Sequence, residues 1–163
     1  MKMAMTNSTK QMTTKQKLPP NPFQHEILEL VSKQRSKAKK VEILQEYAND
    51  ALKVLLIWNF DDTAISVIPK GTVPYTENEV PVGTDHTSLR YEYKHLYNFV
   101  KGGNDSLTSL RRETMFIQIL EGLHPEEAKL LCLVKDKELQ TKYKLTYEVV
   151  CEAYPDINWG GRS

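Results

Sequence analysis

Apolar residues recur every three or four positions through most of this chain, a spacing that predicts helices. In NPFQHEILELV, Phe23, Ile27 and Leu30/Val31 share one face; Asn21 is the expected N-cap and Pro22 the first helical residue. A second helix starts at Ser36 and turns Val41, Leu44 and Ala48 inward. Asn49-Asp50 restarts the chain into ALKVLLIWNF, a third helix that is apolar almost throughout. Thr87-Ser88 opens a fourth, with Leu89, Tyr93, Leu96/Tyr97 and Val100 inward and Gly102 as a left-handed stop. SLTSLRRETMFIQILEG makes the fifth helix, starting near Thr108 and closing at Gly122. Pro125 opens the sixth, where Glu126 and Glu127 complement the positive end of its dipole and His124 is the expected cap. Leu145-Thr146 opens the last, which Pro155 ends.

The stretch DDTAISVIPKGTVPYTENEVPVGTDH interrupts this pattern, because Pro69, Pro74, Pro81, Gly71 and Gly83 break any helix. TAISVIP reads as a short strand or extended segment, and so long a connection is usually functional or mobile. Residues 1–20 lack periodicity and read as a disordered basic tail; residues 21–163 form one domain. The expected architecture is all-α, with about seven helices around one core.

Composition adds bounds. Hydrophobic residues make up 40% of the 163, enough to bury a core, while a formal net charge of +1 favours no class of partner. Any electrostatic argument must therefore rest on local clusters. Cys132, inside LLCLV, reads as a small buried hydrophobe of a reducing compartment. No run approaches the ~18 apolar residues of a membrane span, and the first residues lack the apolar core of a secretory signal. A cytoplasmic location is expected.

No phosphate-loop, dinucleotide-binding, serine-hydrolase or zinc-protease pattern occurs. The histidines His25, His86, His95 and His124 make no metal spacing, and the adjacent Asp61-Asp62 cannot converge on one ion. No nucleophile, base and orienting group assemble. Neither an enzyme nor a bound metal, cofactor or small-molecule substrate is expected.

The positive signals are local and basic. KQRSKAKK sets Lys33, Arg35, Lys37, Lys39 and Lys40 around the turn between the first two helices, either as a solvated turn or as a phosphate-contacting surface. The corner KGGNDSLTSLRRETM places Lys101, two glycines, Thr108 and Ser109 before Arg111 and Arg112. It reads as an ordinary capped corner or as an anion site, since arginines at a helix start oppose the dipole unless an anion joins them.

From EILELVSKQRSKAKKVEILQEYANDALKVLLIWNF through LTSLRRETMFIQILEGLHPEEAKLLCLVKDKEL to KLTYEVVCEAYP, the chain resembles the N-terminal all-helical DNA-binding domain of T-even-type phage ATP-dependent DNA ligases. The whole chain also resembles a family of small proteins of marine T-even-like phages. The ligase resemblance implies contact with the backbone and minor groove of duplex DNA, through Lys37, Lys39, Lys40, Thr108, Ser109, Arg111, Arg112, Lys135 and Lys137; Lys101, read from the corner itself, joins them as an expected contact. It departs from the pattern at LTSLRR, where the ligases carry Thr-Gly-Asn and alanines, and at QTKYK, where they carry a glycine. The Lys-x-Asp-Gly of their nucleophile is absent, so no ligation is implied.

Two functions follow as expectations. The first is a non-catalytic phage protein that binds duplex DNA, intact or nicked, in replication or repair within the infected bacterial cytoplasm. The second is a protein-interaction module for a phage or host replication or transcription protein, anchored by Tyr75, Tyr91, Tyr93, Tyr97 or Trp159.

Overall fold

A computed structural model describes residues 18–79 and 86–160. The expected tail lies, through residue 17, outside the described residues, as do residues 80–85 of the Pro-rich connection. The fold is all-α. Its helices are α1 (Gln24–Ser32), α2 (Lys37–Glu46), α3 (Asp50–Phe60), α4 (Leu89–Glu92), α5 (Ser109–Gly122), α6 (Pro125–Lys135), α7 (Leu139–Tyr143) and α8 (Tyr147–Ala153). A 3₁₀ stretch, Tyr93–Phe99, continues α4. Among the described residues β pairing is confined to two isolated bridges, Ser66 with Val100 and Thr87 with Leu123. No helix among them is long and apolar enough to cross a membrane.

Side-chain caps fix most helix starts. Asn49 Oδ1 accepts the Leu52 N–H at 2.9 Å, and Thr146 Oγ1 accepts that of Val149 at 3.3 Å. His124 caps α6 through Nδ1, which accepts the Glu126 N–H at 3.0 Å. The first helix departs from expectation: Asn21 is left-handed, at φ 53°, and Glu26 Oε1 reaches back to the Phe23 N–H at 2.9 Å, so α1 begins at Gln24. The fourth helix tightens after Glu92. Three residues per turn bring Tyr93, Leu96 and Phe99 into one row, which buries Leu96 and Phe99 and turns Tyr97 outward. LQTKY adds the unexpected α7, stopped by Lys144 at φ 53°.

α6 is the central helix. It packs on α1, α3, α5 and α7, and its Ala128, Leu130, Leu131 and Val134 are fully buried. Each such leucine contributes roughly 1.5–3 kcal/mol of burial. On one side α2 lies across α1 and α8; on another α5 meets the 3₁₀ stretch.

Glu127 of α6 does more than complement its own dipole. Its buried carboxylate accepts the Gln24 N–H and the Leu89 N–H, each at 2.8 Å, and so caps the starts of both α1 and α4. Burial raises its pKa above the usual carboxylate value.

The irregular stretch after α3 is held down rather than loose where it is described. Ser66 Oγ donates to the Lys135 carbonyl at 2.6 Å and accepts the Trp58 indole N–H at 2.8 Å. Lys135 Nζ, fully buried, donates to the carbonyls of Pro69 at 2.8 Å and Gly71 at 3.1 Å and to Asp136 at 2.6 Å.

Candidate nucleic-acid interface

The turn from α1 to α2 presents Lys33, Arg35, Lys37 and Lys39 to solvent. Ser36 is extended there, and its Oγ accepts the Lys39 N–H at 3.1 Å, so α2 begins with Lys37, Ala38 and Lys39 and has no acid in its first turn. Lys37 pairs with Glu152 at 3.2 Å and Lys39 with Glu42 at 3.8 Å. Both pairs are more than half exposed, contribute about 0–1 kcal/mol, and yield readily to a phosphate. Lys40 Nζ donates to the Lys144 carbonyl at 2.7 Å, which brings a further exposed cation beside the turn. Sequence reading missed Lys144, because it lies far away in the chain; the Lys142-Tyr143-Lys144 run was its one signal.

The α5 corner is built differently. Gly102 takes φ 86°, and at Gly103 an added Cβ would lie 1.9 Å from the Tyr97 carbonyl oxygen. The glycines therefore admit the chain's own backbone. Gly103→Ala is expected to cost about 1–3 kcal/mol by overpacking, lowering the melting temperature by roughly 2–10 °C; a melting curve that overlays the parent's would refute the tight approach.

Thr108 caps α5, its Oγ1 accepting the Arg111 N–H at 3.1 Å. Thr108, Ser109, Arg111 and Lys101 are exposed. Arg112 is half-buried. Its guanidinium donates to the carbonyls of Asn98, Asn104 and Leu107, each at 3.1 Å, and ties the corner together.

Two further expected contacts also turn inward. Lys135 is buried under the 66–71 stretch, as described above. Lys137 Nζ donates to the carbonyls of Trp58 and Asp61, at the end of α3, where a cation complements the negative dipole end. Arg112, Lys135 and Lys137 thus differ from the rest of the expected DNA-contacting set: each donates to backbone carbonyls of the protein itself. Lys37, Lys39, Lys40 and Lys144 form one group, and Lys101, Thr108, Ser109 and Arg111 a second.

Tyr91 is 71% exposed on α4 and Tyr97 is 54% exposed, whereas Tyr75 and Tyr93 pack against the core. Trp159 stacks edge-on with Tyr147 of α8, with ring centroids 5.0 Å apart.

One cluster has no counterpart in the sequence reading. The His124 ring lies 5.0 Å from those of both Phe23 and His25 and 5.9 Å from that of His86. Burial, with His124 beside it, lowers the His25 pKa to about 4, and burial also lowers that of His124. Among the described residues no group of three or more His, Cys, Asp or Glu side chains could hold a metal ion.

Residues 27–141 match the model of a family of unknown function, DUF6433, and the chain belongs to that family. No curated protein and no solved structure matches it.

Proposed function

We propose that this DUF6433 member is a non-catalytic DNA-binding module that grips the sugar-phosphate backbone of duplex DNA. The observation that carries the reading lies at the helix starts. α1, α3, α6 and α8 each place an acid in the first turn: Glu26, Asp50, Glu126 with Glu127, and Glu148. α2, α5 and the five-residue α7 place none; α2 offers Lys37 and Lys39 there, and α5 Arg111. Cations beside the positive end of a dipole are unfavourable by a few tenths of a kcal/mol to about 1 kcal/mol each. A phosphate at each start reverses the sign. The resemblance to the phage ligase domain supports the same two places, the basic turn and the α5 corner. It also suggests the setting: phage DNA replication or repair in the bacterial cytoplasm, recruiting or displacing a ligase-like enzyme.

Contacts of this kind position a protein on DNA and read little sequence. With about four phosphates neutralised, the slope of log affinity against log salt is expected near −3 to −4. Fluorescence anisotropy with intact, nicked and gapped duplexes across a salt series measures it. Lys37→Ala/Lys39→Ala should flatten the slope by about 2 and Arg111→Ala by about 1. No binding at about 50 mM salt sinks the reading, and a slope untouched by these changes moves the surface elsewhere.

A further inference from the structure

An α-helix that is hydrophobic all round needs covering all round. α3, DALKVLLIWNF, comes near this, with Asp50, Lys53 and Asn59 as its polar residues: it buries Ala51, Leu52, Leu55, Leu56 and Trp58 in the core. Val54 and Ile57, one turn apart, remain half-buried on a face that the 3₁₀ stretch covers only in part. Between them lies a groove of about 330 Å³, walled on α3 by Val54, Ile57 and Trp58 and opposite by Tyr93, Leu96, Tyr97 and Val100.

Charge and backbone both narrow the occupant. Lys94 is the one charged side chain on the lining; it is exposed and makes no ion pair with any described residue. Lys101, next after Val100, is likewise exposed and without an ion pair to any described residue. No acid lines the groove. The backbone along the Val100 wall is already engaged, with the Val67 N–H on the Phe99 carbonyl at 2.9 Å and the Lys101 N–H on Ile65. α3 satisfies its own backbone, so neither wall offers a free edge to an added strand. An occupant must therefore satisfy its own peptide groups and bind through side chains, as a helix does.

We propose that this groove docks an acidic amphipathic helix of a partner protein, its apolar stripe against Ile57, Val54 and Tyr97 and its carboxylates toward Lys94. None of Lys37, Lys39 and Arg111, the cations proposed to hold DNA, lines the groove.

The probe is a fluorescein-labelled helical peptide of about eighteen residues, roughly 27 Å long, with leucines at i, i+3, i+4 and i+7 and glutamates between. The control carries lysines in place of the glutamates. The parent chain should bind the acidic peptide in the range of tens of micromolar, about tenfold or more tighter than the control. Ile57→Ser, checked for helicity by circular dichroism, should weaken it about tenfold, and Lys94→Glu, at an exposed position, should reverse the preference between the peptides. Affinity of Ile57→Ser for duplex DNA should stay at the parent value, which separates this result from the fate of the DNA reading. Absence of binding up to about 1 mM, equal affinity for both peptides, or indifference to both substitutions overturns the proposal.

Discussion

Glu127→Ala is expected to cost about 3–5 kcal/mol of folding stability, measured by urea unfolding against the parent. The carboxylate is fully buried and its two oxygens accept the N–H groups of Gln24 and Leu89, each at 2.8 Å. Truncation leaves both donors orphaned inside the protein, at about 1–3 kcal/mol each, and adds a void beneath α1 and α4. Domains of this kind have about 5–15 kcal/mol in all, so the loss is a large share. Glu127→Gln should fall between, because its amide oxygen can serve one N–H while its NH₂ faces the other donor. A loss under about 1 kcal/mol for the alanine variant would show that α1 and α4 do not depend on this carboxylate.

Acidification should destabilise the fold through the histidine cluster, between pH 6.5 and about 4. His25 is 6% exposed and its Nδ1 is buried without a hydrogen-bond partner; burial and neighbouring His124 lower its pKa from 6.5 to about 4. Glu26, Glu126 and Lys142 also face it, the two carboxylates raising the value and the lysine lowering it. The folded state thus holds His25 neutral where the unfolded chain would take up a proton. Its contribution is fully present above pH 6.5 and is lost as pH falls, by roughly 3 kcal/mol at about 1.4 kcal/mol per pKa unit. Glu127 runs the other way. Its pKa is raised, so its contribution diminishes as pH climbs from 4.5 through the folded value. His25→Phe, which keeps a ring against Phe23 and His124, should flatten the acid limb of a stability–pH curve. An acid limb as steep as the parent's would place the titration elsewhere.

The starts of α2, α3, α5, α6 and α8 are legible in the sequence, because Ser36, Asn49, Thr108, His124 and Thr146 each stand immediately before an apolar repeat and act locally. The 3₁₀ tightening after Glu92 is not legible, since Leu96 and Phe99 fit a period of three and Leu96 also fits one of 3.6. The exposed half of the candidate interface follows from charge clustering alone. Its other half does not, because the fate of a lysine depends on which carbonyls arrive beside it. Lys135 meets Pro69 and Gly71, and Lys137 meets Trp58 and Asp61, across more than sixty residues of chain. The ring cluster of Phe23, His25, His86 and His124 is invisible for the same reason.

The bond from Lys40 Nζ to the Lys144 carbonyl joins residues 104 positions apart. Lys33 to Lys40 cluster along the chain itself, but Lys144 joins the cationic patch of α2 only in the closed tertiary structure, so the unfolded chain lacks the complete patch. By mass action, a polyanion held by that patch draws the population toward the folded state, by about 2.7 kcal/mol at a hundred times its dissociation constant. Occupancy of the surface and persistence of the fold are then two readings of one equilibrium.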